Sequence, residues 1–490
     1  MSTDLGAWWA DLTAAAVVGT ARRQVPPLPE VLSAGRDDAG REVLLLDAAA
    51  LGGALRRAGM RAHEPEPVAP ADDDRRTLPP QRATQLLELL LHQSPVGATL
   101  MPDLVQVWLD AADALGHRAP HHLLPELLEL AARHEGLRSG VSRVGDRRAA
   151  WLAAANPDWR WLTGEEALPG VQPDEMAAES WARLPTDQRE AEVARLRTSD
   201  PSVGRRLVES TWSTDTAGER VRLLSALRVG IGPDDEPLLE RALEDRSVKV
   251  RELAVTLLDG LPGSARAARM ADRLRPLLTV KGRLRRTLEV ELPVDPDPDG
   301  VRDGLTRPKR VGSVRGWWLQ RLAAGAPLDV WTEATSSDPA GAWRMVTQRD
   351  ARAGIVEAVL ARRDSAWASA IVADVWHSGL LSLLPTEQLD AAAARQVATT
   401  TPEQLIIVVA AVPAPWGPAF SRAVLQRLKA EKEPTILVTQ LTIRLATGLD
   451  PVTRPALDKW AAGLEPGARE RVARISQYLA LVPEIPEAFR

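Results

Sequence analysis

Residues 295–304, DPDPDGVRDG, carry carboxylates at the spacing found in calcium loops. The matching positions are, in order, Asp295, Asp297, Asp299, Gly300 and Asp303. Such loops complete the coordination with a bidentate glutamate at their twelfth position, where this chain has Thr306, and prolines stiffen the backbone here. We interpret the segment as a solvated acidic loop, and whether it binds calcium stays open at this stage.

Basic residues flank the acidic loop on both sides and suggest a second kind of chemistry. They are Lys281, Arg283, Arg285, Arg286, Arg307, Lys309 and Arg310. A cluster of this kind on one surface would bind the phosphate backbone of a nucleic acid. The acidic residues between the two basic runs can neutralise them, and the chain has a formal net charge of −5. Nucleic-acid binding through residues 281–310 is therefore the alternative function, not the first.

Two short stretches, GDRRAAWL at 145–152 and GSVRGWWL at 312–319, share the pattern G-x-x-R-x-x-W-L. In each stretch an arginine precedes a tryptophan by one helical turn, so the guanidinium can lie along the indole. The pattern is explained either by a repeated helix start packed by tryptophan or by paired contacts to a ligand or partner. Together with part of the basic run, these residues form a candidate interaction surface: Arg148, Trp151, Arg283, Arg285, Arg286, Arg315 and Trp318.

The remaining polar residues fit no catalytic motif. The histidine cluster HRAPHH at 117–122 lacks metal-ligand spacing, and the sequence contains no cysteine. The glycine loops that bind phosphates or dinucleotides are missing, as is the G-x-S-x-G pattern of hydrolases. The sequence therefore predicts a protein that is not an enzyme and has no cofactor or metal, although an activity built from scattered groove residues stays open.

The composition is that of an ordinary globular protein. Of 490 residues, 45% are hydrophobic and 26% are charged, which argues against disorder. Without cysteine the chain suits a reducing compartment, and it has no apolar run long enough to cross a membrane. We therefore expect a cytoplasmic protein with no membrane contact.

The elements that must position these residues read as helices, most clearly over 242–262. The apolar residues there follow the i, i+3, i+4, i+7 spacing of one helix face: Val250, Leu253, Ala254, Leu257, Leu258 and Leu261. A second helical pattern just upstream predicts a hairpin of two packed helices. The pattern D-x-S-V-x-x-R occurs at 200–206 and again at 245–251, a spacing typical of helical repeats.

Residues 235–260 resemble a HEAT repeat, with an aspartate in the turn and a Val-Arg pair early in the second helix. In that family the aspartate and arginine of successive repeats bond to each other and keep the stack in register. The resemblance assigns this structural role to Asp245 and Arg251, and more weakly to Asp200 and Arg206.

We therefore expect an all-α fold, an α-solenoid of HEAT-like helical hairpins with a small irregular or β-hairpin insertion around 280–312. Its expected segments, in order, are an N-terminal helical segment 1–60, a Pro/Asp-rich linker 61–80, a helical repeat region 81–275 containing the HEAT-like unit 235–260, a basic and acidic insertion 276–312, and a C-terminal repeat region 313–490.

The order of these elements also resembles an uncharacterised family of high-GC bacteria. The resemblance rests on GTARR near the N-terminus, WLAAANPDW at 151–159, EPLLERALEDRSVKVRELAVTLLDGLP and the terminal helices. Members of that family tend to be encoded beside a MoxR-type AAA+ ATPase and proteins with von Willebrand A domains. The resemblance implies those partners and no mechanism, so we expect a non-enzymatic scaffold or adaptor that binds other proteins.

Overall fold

The computed structural model describes residues 5–29, 40–59, 70–163, 178–282, 286–308 and 312–490. The chain divides into two compact units, Met1–Ala71 and Asp72–Arg490. Helices dominate both units, and the secondary structure also includes one small antiparallel sheet of two strands. The predominance of helices confirms the expected all-α fold class.

The described part of the first unit contains two helices, α1 (Leu5–Val18) and α2 (Arg41–Gly59). Trp8 and Leu12 from α1 are buried against Ala48 of α2. The Trp8 indole N–H donates to the Pro27 carbonyl at 3.0 Å, so the segment after α1 folds back onto the helix pair.

The second unit begins with helices that lie before the gap at residues 164–177. They are α3 (Gln81–His92), α4 (Met101–Ala114), α5 (Leu124–Arg133), α6 (Arg138–Val144), α7 (Asp146–Ala155) and α8 (Arg160–Thr163). Of the expected linker, residues 61–69 lie outside the described residues. Thr77 forms an isolated parallel bridge with His117, so the end of this segment is anchored to the helices.

The next helices include residues 235–260, whose sequence resembles a HEAT repeat. They are α9 (Ala178–Arg183), α10 (Thr186–Ser199), α11 (Pro201–Thr211), α12 (Ala217–Ala226), α13 (Glu236–Ala242), α14 (Val248–Leu258) and α15 (Ala265–Leu274). The apolar face expected for residues 250–261 is α14, with Val250, Ala254 and Leu258 fully buried. These side chains belong to a core formed by residues between 181 and 261.

The expected insertion contains a β-hairpin followed by one short helix: β1 (Leu278–Lys281), β2 (Thr287–Val290) and α16 (Pro298–Arg302). Leu278 pairs with Val290 in the antiparallel register. Leu288 is buried while its neighbours Thr287 and Glu289 are exposed, which agrees with the period-two pattern.

The remaining helices complete the second unit. They are α17 (Val314–Gly325), α18 (Asp329–Thr335), α19 (Pro339–Met345), α20 (Arg349–Arg362), α21 (Ser365–Asp374), α22 (Thr386–Ala398), α23 (Pro402–Ala411), α24 (Pro418–Lys429), α25 (Pro434–Gly448), α26 (Arg454–Ala461) and α27 (Pro466–Glu487). The β-branched stretch in α25 is helical because its buried residues Val438, Leu441 and Leu445 recur at helical spacing.

A larger core joins the two ends of the second unit. It contains residues between 83 and 149 together with residues between 270 and 489. Helix α4 packs against α27, and the rings of Trp108 and Phe489 lie 5.2 Å apart. Helices α3 to α7 therefore share their core with the C-terminal helices. None of the helices in the described ranges combines the length and apolarity that crossing a bilayer requires.

Candidate functional site

The turn before α14 is held by Asp245, one of the two residues assigned a register role. Its carboxylate lies 2.9 Å from Arg220 Nε, which belongs to α12 of the preceding hairpin. Arg251 donates from Nη1 to the main-chain carbonyl of Asp245 at 2.6 Å. The contact between hairpins is thus an Arg220–Asp245 ion pair, while Arg251 fixes the turn within its own hairpin.

Asp200 and Arg206, to which the register role was assigned more weakly, also bond to a residue near them in the chain. The Asp200 carboxylate accepts the main-chain N–H of Ser202 at 2.9 Å and caps α11. Arg206 donates to the Ser202 hydroxyl at 3.0 Å.

Buried Arg–Asp pairs recur through the second unit. They are Arg189–Asp215 at 2.9 Å, Arg197–Asp235 at 2.7 Å, Arg220–Asp245 at 2.9 Å, Arg266–Asp259 at 2.6 Å and Arg269–Asp303 at 2.6 Å. All five carboxylates are less than a tenth exposed, so these pairs hold helices together and are closed to large ligands.

The second Arg–Trp pair clasps the insertion. Arg315 donates to the carbonyls of Leu292 and Pro293 at 2.5 and 2.7 Å. Trp318 is buried and its indole N–H donates to the Thr306 carbonyl at 3.3 Å. Arg315 therefore binds the main chain just before the acidic segment, and Trp318 binds it just after.

The basic run is only partly described. Arg283, Arg285, Lys309 and Arg310 lie outside the described residues. Lys281 forms an ion pair with Glu289 across the β-hairpin, and Arg286 and Arg307 are exposed.

The expectation of a solvated acidic loop holds for Asp297, whose side chain is 63% exposed, and is wrong for Asp303, which is buried by its arginine partners. Asp297 accepts the N–H of Gly300 at 2.6 Å and caps α16. Asp303 is fully buried, and its carboxylate accepts hydrogen bonds from Arg269 and Arg273. Burial acts to raise the pKa of Asp303, but these two arginines outweigh it and the pKa lies below its usual value. Across the described ranges, no group of three or more acidic or histidine side chains is arranged to hold a metal ion.

A groove opens between α14, the insertion and α17, and its cavity volume is about 260 Å³. Its lining residues are Val248, Arg251, Glu252, Val255, Thr256, Val301, Arg302, Gly304, Thr306, Trp317 and Arg321. Val248 and Val301 are 54% and 45% exposed, so apolar surface remains open to solvent at this groove. Gly304 has φ +103°, and a Cβ atom built there would lie 2.9 Å from a Val255 methyl group, so a larger residue would be strained and would clash with Val255.

Arginines give the groove its polar character. Arg302 is paired with Glu240 and Glu244, and Arg321 is paired with Asp259 and Glu357. Arg251 forms no salt bridge to any carboxylate in the described part of the chain. Its guanidinium donates instead to the main-chain carbonyl of Asp245.

Trp317 is a groove residue that the sequence interpretation missed. The sequence pattern selected its neighbour Trp318, which points into the core. Successive helical residues point about 100° apart, so one of two adjacent tryptophans on a core-packed helix faces outward. This helical geometry, applied to Trp317 and Trp318, is the signal that could have identified Trp317 as the residue that lines the groove.

The first Arg–Trp pair lies where three separate sequence motifs meet. The Asp74 carboxylate accepts the main-chain N–H of Arg148 at 3.2 Å and lies 2.8 Å from His121 Nε2. Arg118 Nε and Arg148 Nε lie 3.6 and 3.9 Å from the same carboxylate, whose side chain is 5% exposed. Trp151 is 37% exposed. The acidic run at 72–74, the histidine cluster and the start of α7 thus form one cluster.

Asp146 makes the reciprocal contact to the same segment. It adopts φ +51°, a left-handed conformation that aspartate tolerates better than most residues. One carboxylate oxygen accepts the N–H groups of Arg75 and Arg76 at 2.7 and 2.8 Å. The two aspartates therefore clasp residues 72–76 onto α7.

We expect Asp74→Asn to lower the free energy of unfolding by about 1–3 kcal/mol, because two nearby arginines lose a buried anion. Burial acts to raise the pKa of Asp74, but hydrogen bonds from His121 and the Arg148 N–H and the charge of Arg118 outweigh it, so the pKa is lowered. A lowered folded-state pKa stabilises the protein above the unfolded value of about 3.9, and this contribution is lost as the pH falls below it.

Urea unfolding from pH 6 to pH 3 measures this difference, which should shrink at the acidic end. The exposed neighbour Asp73 supplies the control Asp73→Asn, for which we expect little change. Equal stability of the wild-type and Asp74→Asn proteins at pH 6 would contradict the clasp.

The fold and the groove define an all-α protein with a solvent-accessible groove beside α14. The chain belongs to a family of unknown function, DUF5691, which matches residues 11–489. Comparison with curated proteins and with solved structures finds no match.

Proposed function

We propose that the protein is a non-enzymatic scaffold that binds other proteins, built as an α-solenoid of HEAT-like hairpins and located in the cytoplasm. Solenoids bury each repeat against its neighbours and leave extended surfaces for partners. The contacts of α10 with α11 and α12, and of α12 with α14, support this arrangement, as does the Arg220–Asp245 pair between hairpins.

The observation that carries the proposal is the groove beside the HEAT-like unit. It combines exposed aliphatic side chains, a half-buried tryptophan and an arginine without a carboxylate partner among the described residues. Aromatic and arginine side chains in a partly apolar recess are typical of the residues that dominate protein interfaces.

The proposed partners are a MoxR-type AAA+ ATPase and a von Willebrand A-domain protein, which the family resemblance implies. An adaptor between them needs two binding surfaces, and the groove supplies one. Binding is tested with the purified chain and each purified partner, with and without ATP, by size-exclusion chromatography and titration calorimetry. Absence of binding to both proteins in both nucleotide conditions would contradict the proposed partners.

We expect Val248→Glu to weaken partner binding by about tenfold or more, because it places a charge on the apolar surface of the groove. The matched control is Val452→Glu, since Val452 is 59% exposed and does not line the groove. Calorimetric titration of both variants measures the effect. Equal losses in the two variants would show that the groove is not the binding surface.

The alternative function is nucleic-acid binding through residues 281–310. A gel-shift experiment with the same purified protein distinguishes it from the scaffold function. Phosphate contacts make binding strongly salt-dependent. A gel shift at low salt that disappears at high salt, together with no binding to either protein partner, would favour it over the scaffold.

A further inference from the structure

A second cavity, also of about 260 Å³, lies between α25, α27 and the loop before α4. It is separate from the groove at α14. Its lining residues are Val96, Gly97, Thr99, Leu100, Thr439, Gln440, Thr442, Ile443, Arg471 and Arg474. Two of these are arginines and none is acidic, so the lining itself is cationic.

The cationic wall is one face of α27. Arg471 and Arg474 are three residues apart and therefore lie on the same side of the helix. Arg471 donates to the Gly467 carbonyl at 3.0 Å, and Arg474 pairs with Glu470 at 2.5 Å. Both members of the second pair are about half exposed or more, and such surface pairs are weak enough for a bound anion to compete with Glu470.

Gly97 brings the loop close to this wall. Its φ is +76°, and a Cβ atom built there would lie 3.6 Å from Arg474 Nη1. Glycine is favoured at such a backbone angle. The guanidinium of Arg474 therefore lies close to the loop at Gly97.

The opposite wall is neutral. From Pro434 to Ile443 α25 carries no charged residue. The hydroxyls of Thr439 and Thr442 donate to carbonyls of their own helix at 2.7 Å, which leaves the Gln440 amide as a donor on this wall. Accessible apolar surface comes from Ile443, which is 49% exposed, whereas Val96 and Leu100 are buried behind the lining.

We propose that this cavity binds a small organic phosphate monoester. The phosphate oxygens accept hydrogen bonds from Arg471, Arg474 and Gln440, which together offer more donors than one planar carboxylate uses. The organic group packs against the exposed side chain of Ile443 on α25. This inference is independent of the groove at α14 and of the proposed scaffold function.

Phenyl phosphate is the probe, titrated into the full chain by calorimetry at low and physiological salt. We expect saturable binding, weaker binding of inorganic phosphate and of benzoate, and no binding of phenol. The double substitution Arg471→Gln, Arg474→Gln should weaken phenyl phosphate binding by at least about tenfold. Arg422→Gln is the matched control, because Arg422 is exposed on α24 and does not line the cavity.

A second variant tests the cavity without changing its charge. Thr439→Trp fills the space between α25 and α27 and should also weaken binding, while circular dichroism checks that the helices persist. The proposal is overturned by no binding of phenyl phosphate to the wild-type chain, or by unchanged binding in both the double and Thr439→Trp variants. Equal affinity for inorganic phosphate or for benzoate would overturn the assignment to an organic phosphate.

Discussion

Replacing Asp303 by alanine is expected to lower the free energy of unfolding by about 3–5 kcal/mol. Its carboxylate is fully buried and accepts hydrogen bonds from Arg269 at 2.6 Å and Arg273 at 2.8 Å. Removing it takes away the buried anion that Arg269 and Arg273 share, and leaves them with their outer partners Glu240 at 3.0 Å and Asp297 at 3.5 Å. The ion pair raises the pKa of Arg269 in the wild-type protein. Arginine keeps its proton even without such a partner, so the variant cannot relieve the loss by releasing a proton.

Urea unfolding followed by tryptophan fluorescence measures this effect. The control is Asp299→Ala, because Asp299 lies in the short helix α16 that Asp303 follows, and it is exposed. Since the pKa of Asp303 is lowered in the folded chain, its contribution is present above about pH 4 and is lost as the pH falls below that value. A change in Asp303→Ala no larger than that in the control would show that the ion pairs contribute little.

The second large loss of stability is expected for Arg197→Met, in the core that residues between 181 and 261 form. Arg197 is fully buried and donates to Asp235 at 2.7 Å and to the carbonyls of Val229, Gly230 and Pro201. The methionine removes the bidentate cation from the buried Asp235 carboxylate, which keeps the Gly232 N–H at 3.0 Å and the more distant Arg205 at 3.6 Å. It also leaves the three carbonyls without this donor. We expect a loss of about 3–5 kcal/mol.

A double substitution separates the ion pair from general disruption. Arg197→Met with Asp235→Leu removes both charges, and we expect it to be more stable than Arg197→Met alone because no uncompensated buried carboxylate remains. The control is Arg195→Met, since Arg195 is 59% exposed and pairs only with Glu192 among the described residues. A double variant less stable than Arg197→Met would contradict this explanation. Urea unfolding gives all three values.

Local patterns predicted the helices and the β-hairpin because those elements are encoded over ten to twenty neighbouring residues. Val250, Ala254 and Leu258 recur at helical spacing, and Leu288 alternates with charged neighbours. Each pattern can be recognised without knowing which other element the helix or strand packs against.

The buried arginines were missed because arginine is usually read as a surface residue. In α10 the buried positions are Arg189, Val193, Leu196 and Arg197, which share one helix face. The same periodicity that identified apolar faces would therefore have placed Arg197 inside. Its carboxylate partner, Asp235, lies on a different hairpin and could not be identified from local spacing.

The cluster around Asp74 depends on contacts between distant parts of the chain. Asp74, His121 and Arg148 come from three motifs that the sequence interpretation treated separately. The groove likewise joins α14 to the insertion and α17 across about 50 or more residues. No pattern within one helix specifies such meetings, so a single sequence could not define either site.

The packing of α4 against α27 has a consequence for synthesis on the ribosome. Trp108 is covered by Phe489, which emerges roughly 380 residues later. At about 5–20 residues per second, this interval lasts about 20–75 s. Throughout it the apolar face of α4 lacks its final cover, so nascent chains stalled before α27 should be preferred clients of ribosome-associated chaperones.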